Sequence, residues 1–215
     1  MADSSVRPKR RADAERSIAR IVSAARDLLS SDPHAKTDDI AKAAGVGRMT
    51  LYGHFATRAD LVEAALMDAL RAGDETLSSV DLSGHAGEAM TRLLESSWQV
   101  VAESAALLAA AEEVLPPGRV RELHEEPARR MSELVRRGRE QGVFRTDLPA
   151  TWLVNVVHYI LHGAAAEVRA GRLEPHHAGD VITRSVQAVL AVPADRGEPG
   201  KGNSRADRER RGGPG

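Results

Sequence analysis

Two histidines four residues apart give the C-terminal half of the sequence its clearest chemical spacing. His158 and His162 would lie on one face of a helix, where two imidazoles can chelate a metal ion. The sequence offers no obvious third ligand, so a place in a pocket or an interface is favoured over a metal site. The stretch from His124 to Ala128 approaches the H-E-x-x-H zinc motif, but Ala128 replaces the second histidine and Pro127 would disturb the helix. The sequence therefore predicts no metal.

Catalytic motifs are missing from the sequence as well. It has no cysteine nucleophile, no G-x-S-x-G turn and no glycine-rich dinucleotide fingerprint. Gly200-Lys201 lacks both the upstream glycine and the following serine or threonine of a phosphate loop. We therefore expect a protein that is not an enzyme and that has no cofactor.

Residues 37–58 hold the most informative polar side chains of the N-terminal half. Thr37 is a candidate N-cap, and the two aspartates after it suit the positive end of a helix dipole. Gly45 is expected to end this helix, because glycine accepts the left-handed backbone of a C-terminal cap. Val46 is apolar and can fill the gap before the next helix. The pattern predicts a short helix followed by a tight turn.

A second short helix is predicted over residues 47–55. Leu51 and Phe55 recur at the i, i+4 spacing of one helix face and should point inward. The other faces carry polar or flexible side chains, namely Arg48, Met49, Thr50, Tyr52 and His54. Two helices joined by a short turn containing glycine form the helix-turn-helix pattern, whose second helix enters the major groove of DNA. The sequence therefore predicts contact with double-stranded DNA.

The rest of the chain is also predicted to be helical. Aromatic residues make up 3% of the sequence, and alanine and leucine dominate its apolar positions. No strand-like alternation occurs, so an all-α fold is expected. A capping box is predicted at Thr57-Arg58-Ala59-Asp60. Outside residues 37–58, helices are predicted over about 13–30, 57–72, 88–102, 105–114, 119–142 (kinked or split by Pro127), 150–170 with Asp147 as N-cap, and 175–192.

Composition divides the chain into four predicted segments. Residues 1–12 are a flexible basic arm, either a disordered terminus or a contact for phosphates, and residues 13–72 are the helix-turn-helix domain. Residues 73–192 form a larger helical domain. Residues 193–215 are rich in glycine, proline and charge and are expected to be a disordered tail.

Charge, cysteine content and hydropathy indicate the expected cellular location of the protein. The net charge of −1 conceals an acidic middle and mildly basic ends, which is compatible with DNA binding at one end. The absence of cysteine favours an intracellular protein, and the polar start does not resemble a signal peptide. The longest apolar run, residues 105–111, is too short to span a membrane. A soluble, cytoplasmic protein is expected.

The helix-turn-helix segment also carries a family resemblance. A-G-V-G-R-M-T-L-Y-G-H-F, followed by T-R-A-D-L-V, resembles the DNA-binding module of the TetR (tetracycline-repressor) family over about residues 13–70. The run R-R-G-R-E-Q-G-V-F-R-T-D-L-P before Trp152 is similar to family sequence too. The resemblance implies a C-terminal helical domain for ligand binding and dimerisation. It also implies a homodimer, paired through the last two helices, on a roughly palindromic operator.

The resemblance assigns DNA contacts by position. Arg48, Met49 and Thr50 are implied to face base edges, and a guanidinium can take guanine O6 and N7 bidentately. The full set of implied contact positions is Thr37, Gly47, Arg48, Met49, Thr50, Tyr52, His54 and Arg58. The last three side chains and Thr37 are implied to meet phosphates. Gly47, Gly53 and Asp38 depart from common family residues, and the contacts that those residues make are expected to be lost.

Two hypotheses remain for the C-terminal domain. One is a ligand-responsive repressor with an apolar cavity for a hydrophobic, aromatic or cationic small molecule, whose binding moves the fourth helix. The other is a DNA-binding regulator whose C-terminal domain only dimerises or docks a protein partner. Candidate lining residues, which could equally be packed core, are Met90, Leu94, Trp98, Val101, Met131, Val135, Tyr159 and His162. Glu95, Glu103 and Glu167 are candidates for meeting a cation.

Overall fold

The computed structural model describes residues 6–125 and 128–193, and over these residues the chain is all-helical, as predicted. The predicted tail beyond Pro193 and the first five residues of the predicted arm lie outside this range. The described helices are α1 (Val6–Ser31), α2 (Thr37–Ala43), α3 (Arg48–His54), α4 (Arg58–Ser78), α5 (Ala86–Val114), α6 (Arg119–Leu123), α7 (Arg129–Glu140), α8 (Ala150–Arg169) and α9 (Pro175–Leu190).

Helix α1 begins at Val6, seven residues before its predicted start at Asp13. The expectation of a flexible arm was therefore wrong for residues 6–12. Pro8 falls in the first helical turn, where the backbone N–H has no acceptor within the helix, so proline removes no hydrogen bond there. The lysine and arginines beside it are good helix formers.

The first hydrophobic core lies between α1 and α4 and encloses the two short helices. Ile21, Ile40, Leu51 and Leu61 are almost fully buried in it, and each comes from a different one of these four helices. Leu107 and its neighbours near the end of α5 complete this core. The helix-turn-helix is therefore packed against part of the larger helical region.

Helix α5 is one continuous helix of 29 residues, and the prediction of two helices broken near residue 103 was wrong. Glu103 and Ser104 are polar, but neither glycine nor proline interrupts the backbone between the two predicted helices. The first half of α5 packs in a second core, and its last turns reach the first core. This helix therefore ties the two cores together.

Helix α4 likewise runs six residues beyond its predicted end at Ala72, to Ser78. Gly73 does not end the helix, because it lies at a close crossing with α5. A Cβ atom at this position would be 2.7 Å from Cγ1 of Val100. The bare backbone of Gly73 lets the two helices approach.

The second core is built from α5, α7, α8 and α9. Met90, Leu134, Leu153 and Ile182 are almost fully buried there, one from each helix. The predicted helix over 119–142 is divided into α6 and α7, and Pro127, the expected cause, lies outside the described residues.

The start of α8 differs from the predicted N-cap. The N-cap of α8 is Pro149, without a side-chain cap, so the prediction that Asp147 caps this helix was wrong. Asp147 instead accepts hydrogen bonds from Arg145, at 2.8 and 2.7 Å. Among the described residues, no helix is long and apolar enough to cross a membrane.

Candidate nucleic-acid interface and ligand cavity

The turn between α2 and α3 is closed by backbone hydrogen bonds. Gly45 has a left-handed backbone with φ of 65°, as predicted. The N–H of Val46 donates to the carbonyl of Ala41 at 3.0 Å, and that of Gly45 donates to Lys42 at 3.1 Å. This pair of bonds satisfies the last carbonyls of α2 and fixes the direction in which α3 leaves the turn.

Helix α3 is anchored on one side and bare on the other. Leu51 and Phe55 are buried, as their spacing predicted. Met49 is 83% exposed, and Arg48 and Thr50 beside it are exposed too. The three side chains implied to face base edges are therefore available to a DNA groove.

The start of α2 differs from the predicted cap. Lys36 is the N-cap and makes no side-chain capping bond, whereas Thr37 is the first helical residue and is half-buried. The prediction of Thr37 as N-cap was wrong. Gly47 is the N-cap of α3 and is exposed, and His54 is half-buried at the end of that helix. The implied phosphate contacts of Thr37 and His54 stay predictions.

Arg48 is held between two side chains of the helix-turn-helix. Its Nη1 lies 3.1 Å from Oδ2 of Asp38 on α2. Its guanidinium carbon lies 5.5 Å from the ring centroid of Tyr52, one turn along α3, within reach of a cation–π contact. Sequence reasoning treated Asp38 as a helix-dipole residue and as a lost DNA contact. It missed the pairing with Arg48, because that pairing can be found only when the crossing of α2 and α3 is known.

Arg58 has a role that the sequence did not indicate. Its guanidinium donates to the carbonyl of Ala35 at 2.6 Å and to that of Pro33 at 2.8 Å. It therefore ties the start of α4 to the loop before α2. The predicted capping box is confirmed beside it: the side chain of Thr57 accepts from the N–H of Asp60, and the Asp60 carboxylate accepts from that of Thr57. A phosphate contact by Arg58 stays a prediction.

An ion pair links α4 to the segment that follows α5. Nη2 of Arg119 lies 2.6 Å from Oε1 of Glu63, and both side chains are partly buried. The hydrogen bond to Glu63 is the main reason that the pKa of Arg119 is raised above its usual value. The pair joins the helix-turn-helix to the larger helical region.

An apolar cavity of about 110 Å³ lies between helices α4, α5, α7 and α8 and is completed by His124, the residue that follows α6. Most of its wall is aliphatic. The lining residues are Leu66, Ala69, Leu70, Gly73, Asp74, Leu77, Leu93, Ser97, Val100, Val101, Ser104, Leu108, His124, Arg130, Met131, His158, Leu161 and His162. Helix α4 thus forms one wall of the cavity and also begins directly after the helix-turn-helix.

Some of the candidate lining residues reach the cavity, and their contact with a ligand stays a prediction. Val101, Met131 and His162 line the cavity, and Tyr159 lines a groove beside it. The other four candidates do not, because Met90, Leu94 and Val135 are packed in the second core and Trp98 packs against it. A helical apolar stripe alone could not separate core from cavity wall.

The predicted acidic partners for a cation were wrong. Glu95, Glu103 and Glu167 do not line the cavity, and Glu167 is paired with Arg172 at 2.7 Å. The carboxylate that does reach the cavity is Asp74 of α4. It is 2.8 Å from Nη1 of Arg130 on α7, so its charge is already neutralised.

Three histidines form the polar end of the cavity. His124, His158 and His162 line both the cavity and the neighbouring groove. The rings of His124 and His162 meet edge to face with centroids 5.6 Å apart. The pKa values of His158 and His162 are lowered to about 4, chiefly by burial and then by the charge of His124. Both are therefore neutral at physiological pH.

These histidines do not make a metal centre. Nδ1 of His124 lies 2.8 Å from the backbone carbonyl of Val120, so that atom is engaged. Over the two described stretches of the chain, no group of three histidine, cysteine or acidic side chains could hold a metal ion. The pocket role favoured for His158 and His162 fits their position, and His124 is the member that the sequence did not single out for it.

Comparison with known proteins agrees with the helix-turn-helix geometry. Residues 21–65 match the model of the family described as "Bacterial regulatory proteins, tetR family". This range runs from the buried middle of α1, through α2 and α3, into α4. No curated protein matches the chain by sequence.

Solved structures share the fold of the described chain. The TetR-like regulator LfrR from Mycobacterium smegmatis, in complex with proflavine, has a TM-score of 0.63 at 22% identity and covers 83% of this chain and 98% of its own. A putative transcriptional regulator from Saccharomonospora viridis, in complex with choline, has a TM-score of 0.66 at 21% identity, covering 82% and 98%. A TetR family regulator from Agrobacterium tumefaciens has a TM-score of 0.65 at 19% identity, and the match covers 83% of this chain and 100% of that protein.

At these identities the structural likeness establishes the fold alone, and the family model matches the helix-turn-helix segment, residues 21–65. An exposed helix-turn-helix of that family on an all-helical body is the architecture of a DNA-binding transcription regulator. Residues 21–65 thus match the tetR family of bacterial regulatory proteins, and the described chain has the fold of solved regulators of that family.

Proposed function

We propose that this regulator is a ligand-responsive homodimeric repressor of a palindromic operator, acting in the cytoplasm and without enzymatic activity. Residues 13–72 would bind DNA, and residues 73–192 would bind the effector and the second subunit. The observation that carries the proposal is the position of α4, which lines the cavity and continues directly from the helix-turn-helix.

DNA recognition would rest on the bare side of α3. Arg48 would read a guanine, and the methyl groups of Met49 and Thr50 would meet thymine methyls. Tyr52 and His54 would contact phosphates, which fix register without reading sequence. The exposure of the first three side chains supports this arrangement.

The effector signal would travel along α4. A molecule entering the cavity must press on Leu70 and Leu77, because both line it. Arg58 ties the first turn of the same helix to the loop before α2 through two carbonyls. A shift of α4 would therefore carry the helix-turn-helix with it and change the separation of two recognition helices in a dimer.

The dimer contact would use α8 and α9. Trp152 and Tyr159, seven residues apart on α8, are 50% and 53% exposed, and Val181 on α9 is 43% exposed. A Cβ atom at Gly163 would meet nothing within 4 Å, so a second helix could approach α8 there. Large apolar side chains left in water on two adjacent helices favour burial against a second copy.

Two of the similar structures favour a small-molecule effector. LfrR was solved with proflavine and the Saccharomonospora viridis protein with choline, each on the fold seen in this chain. The cavity beside α4 gives this chain a place for such a molecule. A role limited to dimerisation or to docking a protein would leave that cavity without a purpose.

Selection from random double-stranded DNA tests the proposal. The full chain should enrich an inverted repeat whose half-site centres lie about 34 Å, or a multiple of it, apart on one face of the duplex. Light scattering should give twice the chain mass at micromolar concentration. Enrichment of a single half-site, or a monomer under those conditions, would overturn the dimeric operator complex.

A further inference from the structure

The charge of the cavity wall limits what the cavity can hold. The described part of the chain contributes Asp74 and Arg130 as its only formally charged lining groups, and these two neutralise each other at 2.8 Å. No phenylalanine, tyrosine or tryptophan ring lines it within the same residues, so a cation would find no π face other than imidazole. Burying an organic cation here would leave its charge uncompensated.

One histidine at the polar end carries an unmet hydrogen bond. Nδ1 of His162 is buried and has no hydrogen-bond partner among the residues that the structure describes. By contrast, Nδ1 of His124 is engaged with the carbonyl of Val120. In the free protein this nitrogen is out of reach of a molecule in the cavity, so the imidazole must turn about its Cβ–Cγ bond to present it. A buried polar atom without a partner costs stability, so a bound molecule that supplies a partner after this turn is favoured.

A hydroxyl is suited to this nitrogen because a hydroxyl can pair with either tautomer of the imidazole. A neutral imidazole has one nitrogen that donates and one that accepts, whereas a hydroxyl can do either. The low pKa values of His158 and His162 support this choice, since neither ring then carries a charge that would attract an anion at physiological pH.

The cavity volume limits the size of the molecule. Engineered apolar cavities of about 150 Å³ admit benzene. This cavity, at about 110 Å³, is slightly smaller, and the flexible side chain of Met131 forms part of its wall. A single ring therefore fits after a small adjustment.

Resting on the proposed function, we propose that this cavity takes an uncharged single-ring molecule with one hydroxyl, of the phenol class, which is held by His162 and which organic cations cannot replace. The remaining wall would enclose the ring. The ion pair of Asp74 and Arg130 would stay intact beside it.

Calorimetric titration of the full chain without DNA tests the ligand class. Toluene, phenol, benzoate and benzylamine share one ring and differ in their polar group. At pH 7.5, phenol should bind about tenfold more tightly than toluene, the ratio that one hydrogen bond to a buried group provides. Benzoate and benzylamine should each bind at least tenfold more weakly than toluene, because each would bury a charge without a partner.

Two variants separate the role of His162 from general effects. His162→Leu should remove the preference for phenol over toluene while toluene binding stays within about threefold, because leucine keeps the wall apolar. His177→Gln, a change at an exposed histidine outside the cavity, should preserve the tenfold ratio.

Each other outcome would overturn the proposal. Equal affinities for phenol and toluene would remove the role of His162, and benzylamine as the tightest probe would reverse the ligand class. If none of the four probes binds, the cavity does not take single-ring molecules. The DNA selection contains no ligand, so its failure would count against the proposed operator complex and not against this ligand class.

Discussion

Asp38 on α2 and Arg48 on α3 face each other across the turn of the helix-turn-helix, with Oδ2 of Asp38 3.1 Å from Nη1 of Arg48. Both side chains are more than half exposed, so their attraction is screened by water. The pair holds the guanidinium close to α2 in the free protein. A guanine contact by Arg48 would require Asp38 to give up this partner or to share it.

Asp38→Asn should tighten DNA binding. The substitution removes a carboxylate that competes for Arg48 and that would face the negative backbone of DNA. Because an exposed ion pair contributes at most about 1 kcal/mol, the gain should not exceed about fivefold from this pair. Fluorescence anisotropy on the selected operator at fixed salt measures it.

The same experiment includes Asp39→Asn, a matched control one residue along α2 whose carboxylate is not the one paired with Arg48. This control should show the small gain in affinity that comes from removing a negative charge near DNA. It should not show the further gain that comes from releasing Arg48. Equal gains from the two variants would mean that Asp38 acts only through its charge and that its pairing with Arg48 is immaterial.

Arg48→Ala should weaken binding to the operator by about 1–3 kcal/mol, the range for a bidentate guanine contact. Binding to unrelated DNA should fall much less, because non-specific affinity is shared among many phosphate contacts. Competition titrations with operator and scrambled duplexes measure both. A uniform loss on both duplexes would contradict the assignment of Arg48 to a base edge.

Replacing either of two glycines of the helix-turn-helix by alanine should change the free energy of unfolding, in opposite directions at the two positions. Gly53 lies inside α3, and a Cβ atom there would meet nothing within 4 Å, so Gly53→Ala should stabilise the fold by up to about 1 kcal/mol. Gly45 has φ of 65°, so Gly45→Ala should destabilise it by roughly 1–2 kcal/mol. Urea unfolding measures both. Loss of stability with Gly53→Ala would contradict the open space around that position.

Local chemistry made the helix-turn-helix predictable from sequence. The turn at Gly45, the capping box at Thr57 and the inward pair Leu51 and Phe55 each depend on residues a few positions apart. Their physical causes, a left-handed cap, a capping bond and helical periodicity, are visible in a short window.

Contacts between distant parts of the chain could not be predicted in this way. The pairing of Arg130 with Asp74 joins residues 56 positions apart, and it places Asp74 at the cavity wall where the sequence suggested Glu167. The same holds for Leu94, which has the helical spacing of a pocket residue but faces the second core. Periodicity shows that a face is buried, and only the packing of other helices shows what covers it.

The crossing of α4 and α5 should be sensitive to one methyl group. Gly73→Ala would place a Cβ atom 2.7 Å from Cγ1 of Val100, beside the ligand cavity. Overpacking of this kind costs typically about 1–3 kcal/mol, so a lower midpoint in urea is expected. The helices should also separate slightly, which should weaken operator binding if α4 sets the position of the helix-turn-helix.

Combining the change with Val100→Ala provides the matched rescue. The double variant should recover stability relative to Gly73→Ala alone, because the smaller side chain makes room for the new methyl group. Additive losses in the double variant would show that the two residues do not compete for the same space.

Lowering the pH should destabilise the fold through His158 and His162. Their pKa values are about 4 in the folded protein, because both are buried and lie near His124, against about 6.5 in an unfolded chain. Between these values the unfolded chain binds more protons, so the free energy of unfolding should fall as the pH drops from about 6.5 to about 4, by a few kcal/mol. Above that window both states are neutral and these groups contribute no slope.

The slope across this window is assigned to the two imidazoles, which share the cavity with the ion pair of Asp74 and Arg130. Urea unfolding at several pH values measures it. The double variant His158→Gln, His162→Gln should flatten the slope, because neither replacement takes up a proton. His177→Gln, at an exposed position, should keep it. If the double variant and the parent protein lose stability in parallel, the buried imidazoles are not the groups that take up protons on unfolding.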